Sequence, residues 1–516
     1  MIFDNFYGNI VFSIFVPIFR ILMAGRKIMD RVLVNIEPQD VFNFFEDICN
    51  IPHVSYHTDL ISDYCEEFAK TRNLRYVRDN TGNVIIYKDA AKGYEDAPTV
   101  IIQGHLDMVG AKAENSTHDF LKDPLKIYID NGYITADGTT LGADNGIAIA
   151  MALAILDNNN LKHPALEMVF TVNEETGLEG AKALDEKLLN GKYLLNLDSD
   201  GEDIFLTGSA GGLTSELLLV VNRMEYEGTK LFISVCNLTG GHSGAEIGTG
   251  RPSANVLMGR LLKELNKVVA IGLESLNGGE VENAICQKCN AGIIIDSSEF
   301  KQVKAICDDV MNELRTEYAG IDDDITIICE EGGTGKYSVC DYLSLKKIIC
   351  MLYNFPYGVI ARTARDINLV ETSLNPGVVT LDDRIFSMLY SVRSSIESAK
   401  RDVADHLKYL VEMIGGNYEE SGDYPAWTHR NESVLRDIIS DTYSEMYNIR
   451  PIFTTIHAGL ECGILSEKMP DVDIVSYGPR MKDIHTYDER LSIKSVEKVY
   501  KFTLKLLEKI KRGDTI

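Results

Sequence analysis

A histidine and an aspartate that could act together on a metal ion follow a predicted buried strand. The stretch VIIQGHLDMVG, residues 100–110, places His105 and Asp107 one residue apart, directly after a run of strand-forming residues and a glycine. Alternate residues of an extended chain lie on the same face, so the two side chains can touch. A histidine that binds a metal through one ring nitrogen commonly donates its other N–H to a carboxylate. We therefore predict that Asp107 orients His105 for metal binding.

Acidic residues follow two further predicted strands. Glu174 and Glu175 come after the strand predicted at 167–173, and Asp198 ends the strand predicted at 193–197. Neighbouring residues of an extended chain face opposite ways, so one glutamate can bind a metal while the other reaches a water on that metal. A solvent-exposed acidic pair is the alternative interpretation of Glu174 and Glu175.

A third acidic position begins a predicted helix. The segment TTLGADNGIAIAMALAIL, residues 139–156, passes from a glycine-containing loop into a helix that is apolar on nearly all sides and should be buried. Asp144 stands at its start, where it is either an N-cap or a carboxylate that bridges two metal ions. Because α/β sheets usually bind ligands at the carboxyl ends of their strands, these acids and His105 predict a site there.

The composition restricts the class of protein. A chain of 516 residues with 45% hydrophobic content is long enough for two or three domains with substantial cores. Its net charge of -26 offers no basic surface, so we expect neither nucleic acid nor a membrane as a stable partner. The ten cysteines are scattered along the chain, which is typical of a reducing compartment, and we expect a cytoplasmic protein.

The first 28 residues differ in composition from the rest of the chain. The uncharged run at 5–19 is shorter than the roughly 18–20 residues that span a bilayer. Asp4 precedes this run, where a signal peptide has basic residues. We interpret residues 1–28 as an extension outside the folded protein, and a short membrane-associating segment is the alternative.

The order of the predicted elements indicates one domain inserted into another. The pattern of strands and helices in residues 29–210 returns in residues 426–516. Between them, residues 211–425 have a different pattern, in which predicted strands such as 231–235 and 325–329 alternate with long helices. We predict a catalytic α/β domain built from the first and last segments, with residues 211–425 as an inserted α/β domain.

Seven motifs together resemble those of the M20 metallopeptidase family and, within it, the aminoacyl-histidine (Xaa-His) dipeptidases. They stand in the family's order and cover nearly all of the chain from residue 29 onwards. The resemblance implies a zinc-peptidase-like catalytic domain, with a mixed sheet flanked by helices, and an inserted α/β lid domain. The motifs are GHLDMV, LGADNGIA, NEETGLEGA, NLDSD, GGHSG, HAGLECG and the late segment that contains His485.

The resemblance implies a site for two zinc ions. Mixed imidazole and carboxylate ligands suit zinc, and also cobalt or manganese. The resemblance also implies a cis peptide bond between the bridging aspartate and the residue that follows it. The implied ligands are His105 and Asp198 for one ion, Glu175 and His485 for the other, and Asp144 as the bridge between them.

The resemblance also implies roles for residues that touch the substrate. Glu174 would be the general base, and His242 in GGHSG would donate a hydrogen bond to the tetrahedral intermediate when the two domains close. Arg393 would bind the terminal carboxylate of the substrate. The HAGLECG loop would line the pocket with His457 and Glu461, the latter pairing with the substrate ammonium. A solvated loop histidine and a surface arginine are the alternatives for His242 and Arg393.

The function implied by these motifs is hydrolysis of unblocked dipeptides by a dinuclear zinc enzyme that is a monomer or a homodimer through the lid. An M20 amidase or deacylase that acts on N-acyl amino acids is the first alternative, because it would use the same metal ions. A protein that binds metal without turnover is the second. The presence of both Glu174 and His242 counts against a protein without turnover.

Overall fold

The structure is a computed structural model that describes residues 31–364 and 367–511. The extension predicted at residues 1–28 lies outside the described residues. Within the described ranges, no helix is long and apolar enough to cross a membrane. All ten cysteines lie in these ranges, and each is a free thiol.

Helices and strands occupy most of the described chain. In chain order the strands are β1 (Arg75–Arg78), β2 (Val84–Lys88), β3 (Val100–His105), β4 (Ile127–Asp130), β5 (Tyr133–Ala136), β6 (Leu166–Thr171), β7 (Tyr193–Asn196), β8 (Gly201–Ser209), β9 (Gly211–Val220), β10 (Arg223–Cys236), β11 (Gly241–His242), β12 (Gly272–Gly278), β13 (Ala284–Ile285), β14 (Cys289–Ile295), β15 (Thr326–Cys340), β16 (Gly358–Arg362), β17 (Val370–Leu381), β18 (Ile385–Ser394), β19 (Asn417–Tyr424), β20 (Ile452–Ile456), β21 (Asp473–Gly478), β22 (Met481–Lys482) and β23 (Arg490–Ser492). The α-helices are α1 (Gln39–Cys49), α2 (Asp59–Thr71), α3 (Ala143–Asp157), α4 (Glu179–Ala183), α5 (Ala254–Val268), α6 (Phe300–Glu317), α7 (Tyr342–Asn354), α8 (Glu397–Met413), α9 (Val434–Tyr447), α10 (Glu461–Lys468) and α11 (Ile493–Lys509).

One large sheet is mixed and joins the two ends of the chain. Its strand order is β1-β2-β6-β3-β7-β21-β8-β20. The strands β6, β3 and β7 run parallel, so their carboxyl ends meet at one edge of the sheet. The late strands β21 and β20 pair with β7 and β8. Segments at both ends of the chain therefore form one domain, and the predicted mixed sheet flanked by helices is confirmed.

The second large sheet is antiparallel and is formed by strands between residues 211 and 424. Its order is β15-β10-β14-β12-β17-β18-β9-β19, and β16 pairs with β17. The helices α5 to α8 pack against these strands. This inserted unit is the α/β lid domain that the sequence predicts. The domain boundaries at 210/211 and 425/426 stay a prediction.

Each sheet has its own hydrophobic core. Buried apolar residues of the first unit, such as Phe45 and Ile102, belong to one cluster. Those of the lid domain, such as Leu261 and Ile293, belong to another. Separate cores let each unit fold around its own apolar side chains.

Helix α3 is buried along nearly its whole length, as its apolar sequence predicts, and it packs against α1 and β3. The carboxyl end of β3 approaches the start of this helix closely. A Cβ atom at Gly104 would lie 2.3 Å from Asn145 Oδ1, so a larger residue would force the two segments apart. Glycine therefore permits His105 and Asp144 to lie side by side.

Two strands of the lid domain extend well beyond their predicted bounds. The sequence predicts strands at 231–235 and 325–329, whereas β10 and β15 run as a long antiparallel pair with one irregularity in register. The glycine-rich stretch EEGGTGK, residues 330–336, lies inside β15. Glycine disfavours strands, so the local sequence favours a loop there; pairing with β10 overrides that preference.

Candidate active site

The carboxyl edge of the mixed sheet brings five predicted metal ligands together. Parallel strands deliver three of them from their carboxyl ends, because β3, β6 and β7 all end at this edge. The start of α3 and the loop between β22 and β23 supply the other two. The five residues are His105, Asp144, Glu175, Asp198 and His485.

The imidazole of His105 is almost completely buried, with 1% of the residue exposed. Its Nδ1 lies 3.0 Å from the main-chain oxygen of Asp107, which can only accept a hydrogen bond. Nδ1 therefore carries a proton, and Nε2 is the atom that can bind a metal. Nε2 lies 3.1 Å from Asp144 Oδ1 and 3.6 Å from Asp198 Oδ1.

Asp144 presents one carboxylate oxygen to each of the two histidines. Its Oδ1 lies 3.1 Å from His105 Nε2, and its Oδ2 lies 3.5 Å from His485 Nε2. His485 Nε2 is also 2.9 Å from Glu175 Oε1. The peptide bond that follows Asp144 is cis, as the family resemblance implies. Asp144 therefore offers one oxygen to each imidazole, and it would be the residue shared by two ions if two were bound.

Asp107 contacts both His105 and the loop after β6. Its carboxylate oxygen Oδ1 lies 3.5 Å from His105 Nδ1, farther than its main-chain oxygen. The carboxylate accepts hydrogen bonds from the backbone N–H groups of Glu174, at 2.9 Å, and Glu175, at 3.3 Å. Ser55 Oγ donates to it at 2.8 Å. Asp107 thus fixes the backbone of both glutamates as well as the ring of His105.

Asn145 connects three parts of the site, and the sequence analysis did not identify it. Its Oδ1 accepts from the His105 backbone N–H at 3.2 Å, and its Nδ2 donates to Asp198 Oδ1 at 3.0 Å. Nδ2 also donates to the main-chain oxygen of Leu197 at 2.8 Å. The only sequence signal for Asn145 is its position in the LGADNGIA motif, directly after Asp144.

The electrostatics of the cluster favour positive charge. Burial opposes protonation of His485, but the carboxylates of Asp144 and Glu175 outweigh it and raise its pKa to about 10. Burial likewise opposes protonation of His105, yet Asp198, Asp107 and Asp144 raise its pKa well above the usual value. More carboxylates than imidazoles meet here, so a cation stabilises the cluster.

The donor set fits a divalent transition metal. One ligand atom each from His105, Asp144 and Glu175 lies within 4.8 Å of the others. Imidazole nitrogen with carboxylate oxygen suits zinc, cobalt and manganese, whereas calcium and magnesium prefer oxygen ligands alone. The His105 tautomer, with its proton on Nδ1, leaves the correct nitrogen for such an ion.

Glu174 lies next to the predicted metal ligands, but it forms no ion pair with His105 or His485. Burial raises the pKa of its carboxyl group well above the usual value, and the negative charges of Asp198, Glu175 and Glu461 act in the same direction. A carboxylate that accepts a proton more readily than usual is suited to act as a general base.

His242 lies in the lid domain as the last residue of β11, and its side chain is exposed. Its Nδ1 accepts hydrogen bonds from the backbone N–H groups of Gly244, at 3.3 Å, and Ala245, at 3.2 Å. Partial desolvation by surrounding atoms, together with the positive charge of Arg393, lowers the pKa of its imidazole. The ring is therefore neutral at physiological pH, with its proton on Nε2, and can donate one hydrogen bond from that atom.

Arg393 is a buried cation at the end of β18, with 7% of the residue exposed. Its NH1 donates to Tyr424 Oη at 3.0 Å, and its Nε has no partner. No carboxylate lies within 4.0 Å of its guanidinium among residues 31–364 and 367–511. A buried guanidinium with unused donors is suited to bind an anionic group.

The HAGLECG loop places His457 and Glu461 in different surroundings. His457 Nε2 lies 2.7 Å from Ser373 Oγ in the lid domain, and burial together with the Arg393 charge lowers its pKa to about 3. Glu461 is fully buried, accepts hydrogen bonds from Gln103 and Thr171, and has its pKa raised to about 7 by burial. Its predicted pairing with a substrate ammonium stays a prediction.

A mixed sheet with imidazoles and carboxylates gathered at its carboxyl edge, and an inserted α/β lid domain, define a metallopeptidase. Residues 101–509 match the sequence profile of Peptidase family M20/M25/M40. The chain therefore belongs to the M20 peptidase family and is a hydrolase.

Known relatives resemble the chain over nearly its whole length. The cytosol non-specific dipeptidase of Escherichia coli (strain K12) is 35% identical over 480 residues, which are 93% of this chain and 99% of the relative. The crystal structure of aminoacylhistidine dipeptidase from Vibrio alginolyticus superimposes with a TM-score of 0.82 at 36% identity, covering 92% of this chain and 97% of that one. Aminopeptidase PepT from Bacillus cereus, at 15% identity and a TM-score of 0.51, shares the fold.

Proposed function

We propose that this protein is a dinuclear zinc dipeptidase that hydrolyses the peptide bond of unblocked dipeptides. The observation that carries the proposal is that Asp144 turns one oxygen towards His105 and the other towards His485. Asp198 lies beside His105, and Glu175 lies beside His485. Each side of the site therefore has one imidazole and one carboxylate, and both sides share the carboxylate of Asp144. Cobalt or manganese could replace zinc with these ligands.

Glu174 is the general base of the proposed reaction. Two bound metal ions would supply Lewis acidity, which polarises the scissile carbonyl and makes a water molecule acidic near neutral pH. Glu174 accepts a proton from the attacking water and delivers it to the leaving amine as the peptide bond breaks. Its position beside His105, Asp198 and Glu175 supports both steps, because the attacking water would lie between these groups.

His242 stabilises the negative charge that develops on the carbonyl oxygen during the attack. The two backbone N–H groups that donate to its Nδ1 support this role, because they leave Nε2–H as the free donor. Once the two domains close around the substrate, a neutral donor stabilises an oxyanion without itself losing a proton.

Arg393 binds the carboxylate at the C-terminus of the dipeptide. Its burial and its unpartnered Nε support this role, since a substrate carboxylate would supply the missing acceptor. The charge of Arg393 acts on the nearby imidazole of His457, so we infer that both residues contact the substrate. Recognition of a free C-terminal carboxylate would select peptides that end shortly after the scissile bond, as a dipeptide does.

The substrate class follows from two relatives that are 35% and 36% identical over most of this chain. One is named a non-specific dipeptidase and the other an aminoacylhistidine dipeptidase, so we propose broad specificity that includes Xaa-His and carnosine-like dipeptides. The first relative is named a cytosol enzyme, which supports the cytoplasmic location predicted from the cysteine pattern. A monomer or a lid-mediated homodimer stays a prediction.

The test combines metal content with a substrate panel on the full chain. We expect two zinc ions per chain by elemental analysis, and hydrolysis of alanyl-histidine, β-alanyl-histidine and dipeptides without histidine. N-acetyl amino acids are the matched control, because the amidase alternative would cleave them with the same metals. Cleavage of N-acetyl amino acids without cleavage of any free-amine dipeptide would replace the proposal with that alternative.

A further inference from the structure

A buried glutamate outside the predicted site accepts hydrogen bonds from four consecutive backbone N–H groups. This residue is Glu489, of which 2% is exposed. The donors lie in the loop and first turn that carry Asp144. They are Leu141 N at 2.8 Å and Gly142 N at 3.1 Å, both to Oε2, and Ala143 N at 2.9 Å and Asp144 N at 3.4 Å, both to Oε1.

Glu489 is itself fixed to the segment that carries His485. It follows His485 by four residues and directly precedes β23. Its main-chain oxygen accepts a hydrogen bond from Thr135 Oγ1 at 2.8 Å, and the next residue, Arg490, pairs with Thr135 between β23 and β5. The loop that presents His485 is therefore tied, through one side chain, to the loop that presents Asp144.

The four N–H groups depend on Glu489 as their acceptor. The first N–H groups of a helix lack partners within the helix, and Leu141, Gly142 and Ala143 are buried away from water. Without the carboxylate these groups would have to find acceptors by rearranging the loop. Such a rearrangement would move Asp144 relative to both histidines.

We propose that Glu489 is a positioning residue that holds the 141–144 backbone so that Asp144 can serve both metal ions. Its carboxylate accepts from the main chain of Asp144, and it would act on the ligand side chain through that main chain. This inference deepens the proposed function and rests on it for the identity of the bound ions. Loss of the carboxylate is expected to weaken metal binding at the shared site.

The substitution Glu489→Gln tests this role with little change of shape. An amide keeps one acceptor oxygen but replaces the other with a donor, so one of the two pairs of N–H groups loses its acceptor. The matched control is Glu167→Gln. Glu167 is 3% exposed and accepts from the backbone N–H groups of Asn190, at 2.9 Å, and Gly191, at 3.0 Å. It lies at the opposite end of β6 from the candidate active site.

Two measurements separate positioning from a general loss of stability. Amide hydrogen exchange of residues 141–144, on protein stripped of metal by chelation, is expected to quicken in Glu489→Gln and not in Glu167→Gln. The zinc dissociation constant, from competition with a chromophoric chelator, is expected to rise about 10–100-fold in Glu489→Gln. The Glu167→Gln value is expected to stay within about twofold of wild type, although both variants lose thermal stability.

A zinc dissociation constant unchanged in Glu489→Gln, or raised equally in Glu167→Gln, would overturn the inference. If Glu489→Gln does not fold, Glu489→Asp keeps the charge but is one methylene too short to reach both pairs of N–H groups, and the same comparison applies. A wild-type protein that binds two zinc ions but cleaves no dipeptide would contradict the proposed function alone, because the affinity comparison still decides the role of Glu489.

Discussion

His485 Nε2 lies 2.9 Å from Glu175 Oε1, although 310 positions separate the two residues in the chain. Glu175 follows β6, and His485 lies in the loop before β23. The contact therefore joins the two segments of the chain that build the catalytic domain. A cation held between these side chains would cross-link the same two segments.

Zinc is expected to stabilise the fold, because it binds the assembled cluster and not the unfolded chain. One site saturated with free zinc at 100 times its dissociation constant adds about 2.7 kcal/mol to the free energy of unfolding. Chemical unfolding of chelator-treated protein with and without zinc measures the gain. His485→Ala should lose a large part of it, whereas His406→Ala, which changes an exposed histidine of α8, should retain all of it.

Glu174→Ala is expected to lower kcat by about 10²–10⁴-fold, because it removes the group that moves the proton. Elemental analysis should still find two zinc ions, since the predicted ligands are unchanged. Hydrolysis at the wild-type rate in the zinc-loaded variant would refute the role of Glu174.

His242→Ala is expected to lower kcat by about 10²–10³-fold with little change in KM, because its hydrogen bond strengthens in the transition state. Steady-state kinetics on a single dipeptide give both parameters. His406→Ala is again the control, as an exposed lid histidine whose loss should leave both constants unaltered. A change confined to KM would indicate ground-state binding by His242 instead.

Arg393→Ala is expected to raise KM by about 10–100-fold, because a charge-assisted contact with the substrate carboxylate is lost. The comparison of a dipeptide with its C-terminal amide isolates that contact. Wild type should have a lower KM for the dipeptide with a free carboxylate than for its amide. The variant should have similar KM values for both substrates. Arg260→Ala, which removes a lid arginine paired with Glu313 and Glu317, should keep the wild-type preference.

His457 is expected to make the fold less stable in acid. Burial lowers its pKa to about 3, below the value near 6.5 of an unfolded chain, so between these values the unfolded state binds the extra proton. The contribution of His457 to the free energy of unfolding is therefore fully present above about pH 6.5. It decreases as the pH falls towards 3, by at most about 1.4 kcal/mol per pH unit.

Urea unfolding of His457→Gln from pH 7 to pH 4 measures that contribution. Glutamine does not titrate, so the stability curve of the variant should slope less steeply than that of wild type. His406→Gln, the same substitution at an exposed histidine of α8, is the matched control for the change of side chain. Parallel curves for wild type and His457→Gln would contradict the lowered pKa.

The sequence by itself determined the fold class and the positions of the chemical groups at the ends of elements. Apolar runs such as 100–103 and the all-apolar helix after Asp144 are local patterns, and burial follows from them directly. The order of the motifs indicated the family. The resemblance to that family in turn implied the cis peptide bond after Asp144. The glycine-rich half of β15 escaped prediction, because its pairing with β10 depends on a distant partner and not on local preference.

Only the tertiary structure decided how the ligands are supported. Asn145 joins His105 to Asp198, and Glu489 holds the backbone at Asp144, through contacts that span from 40 to 348 positions of the chain. The contacts to His105 and to the 141–144 backbone end on main-chain N–H groups, which every residue except proline possesses, so no spacing of side-chain types reveals them. Glu489, four residues after His485, belongs to no recognisable sequence motif. Its role arises only because the folded chain brings the loop before β23 next to the loop before α3.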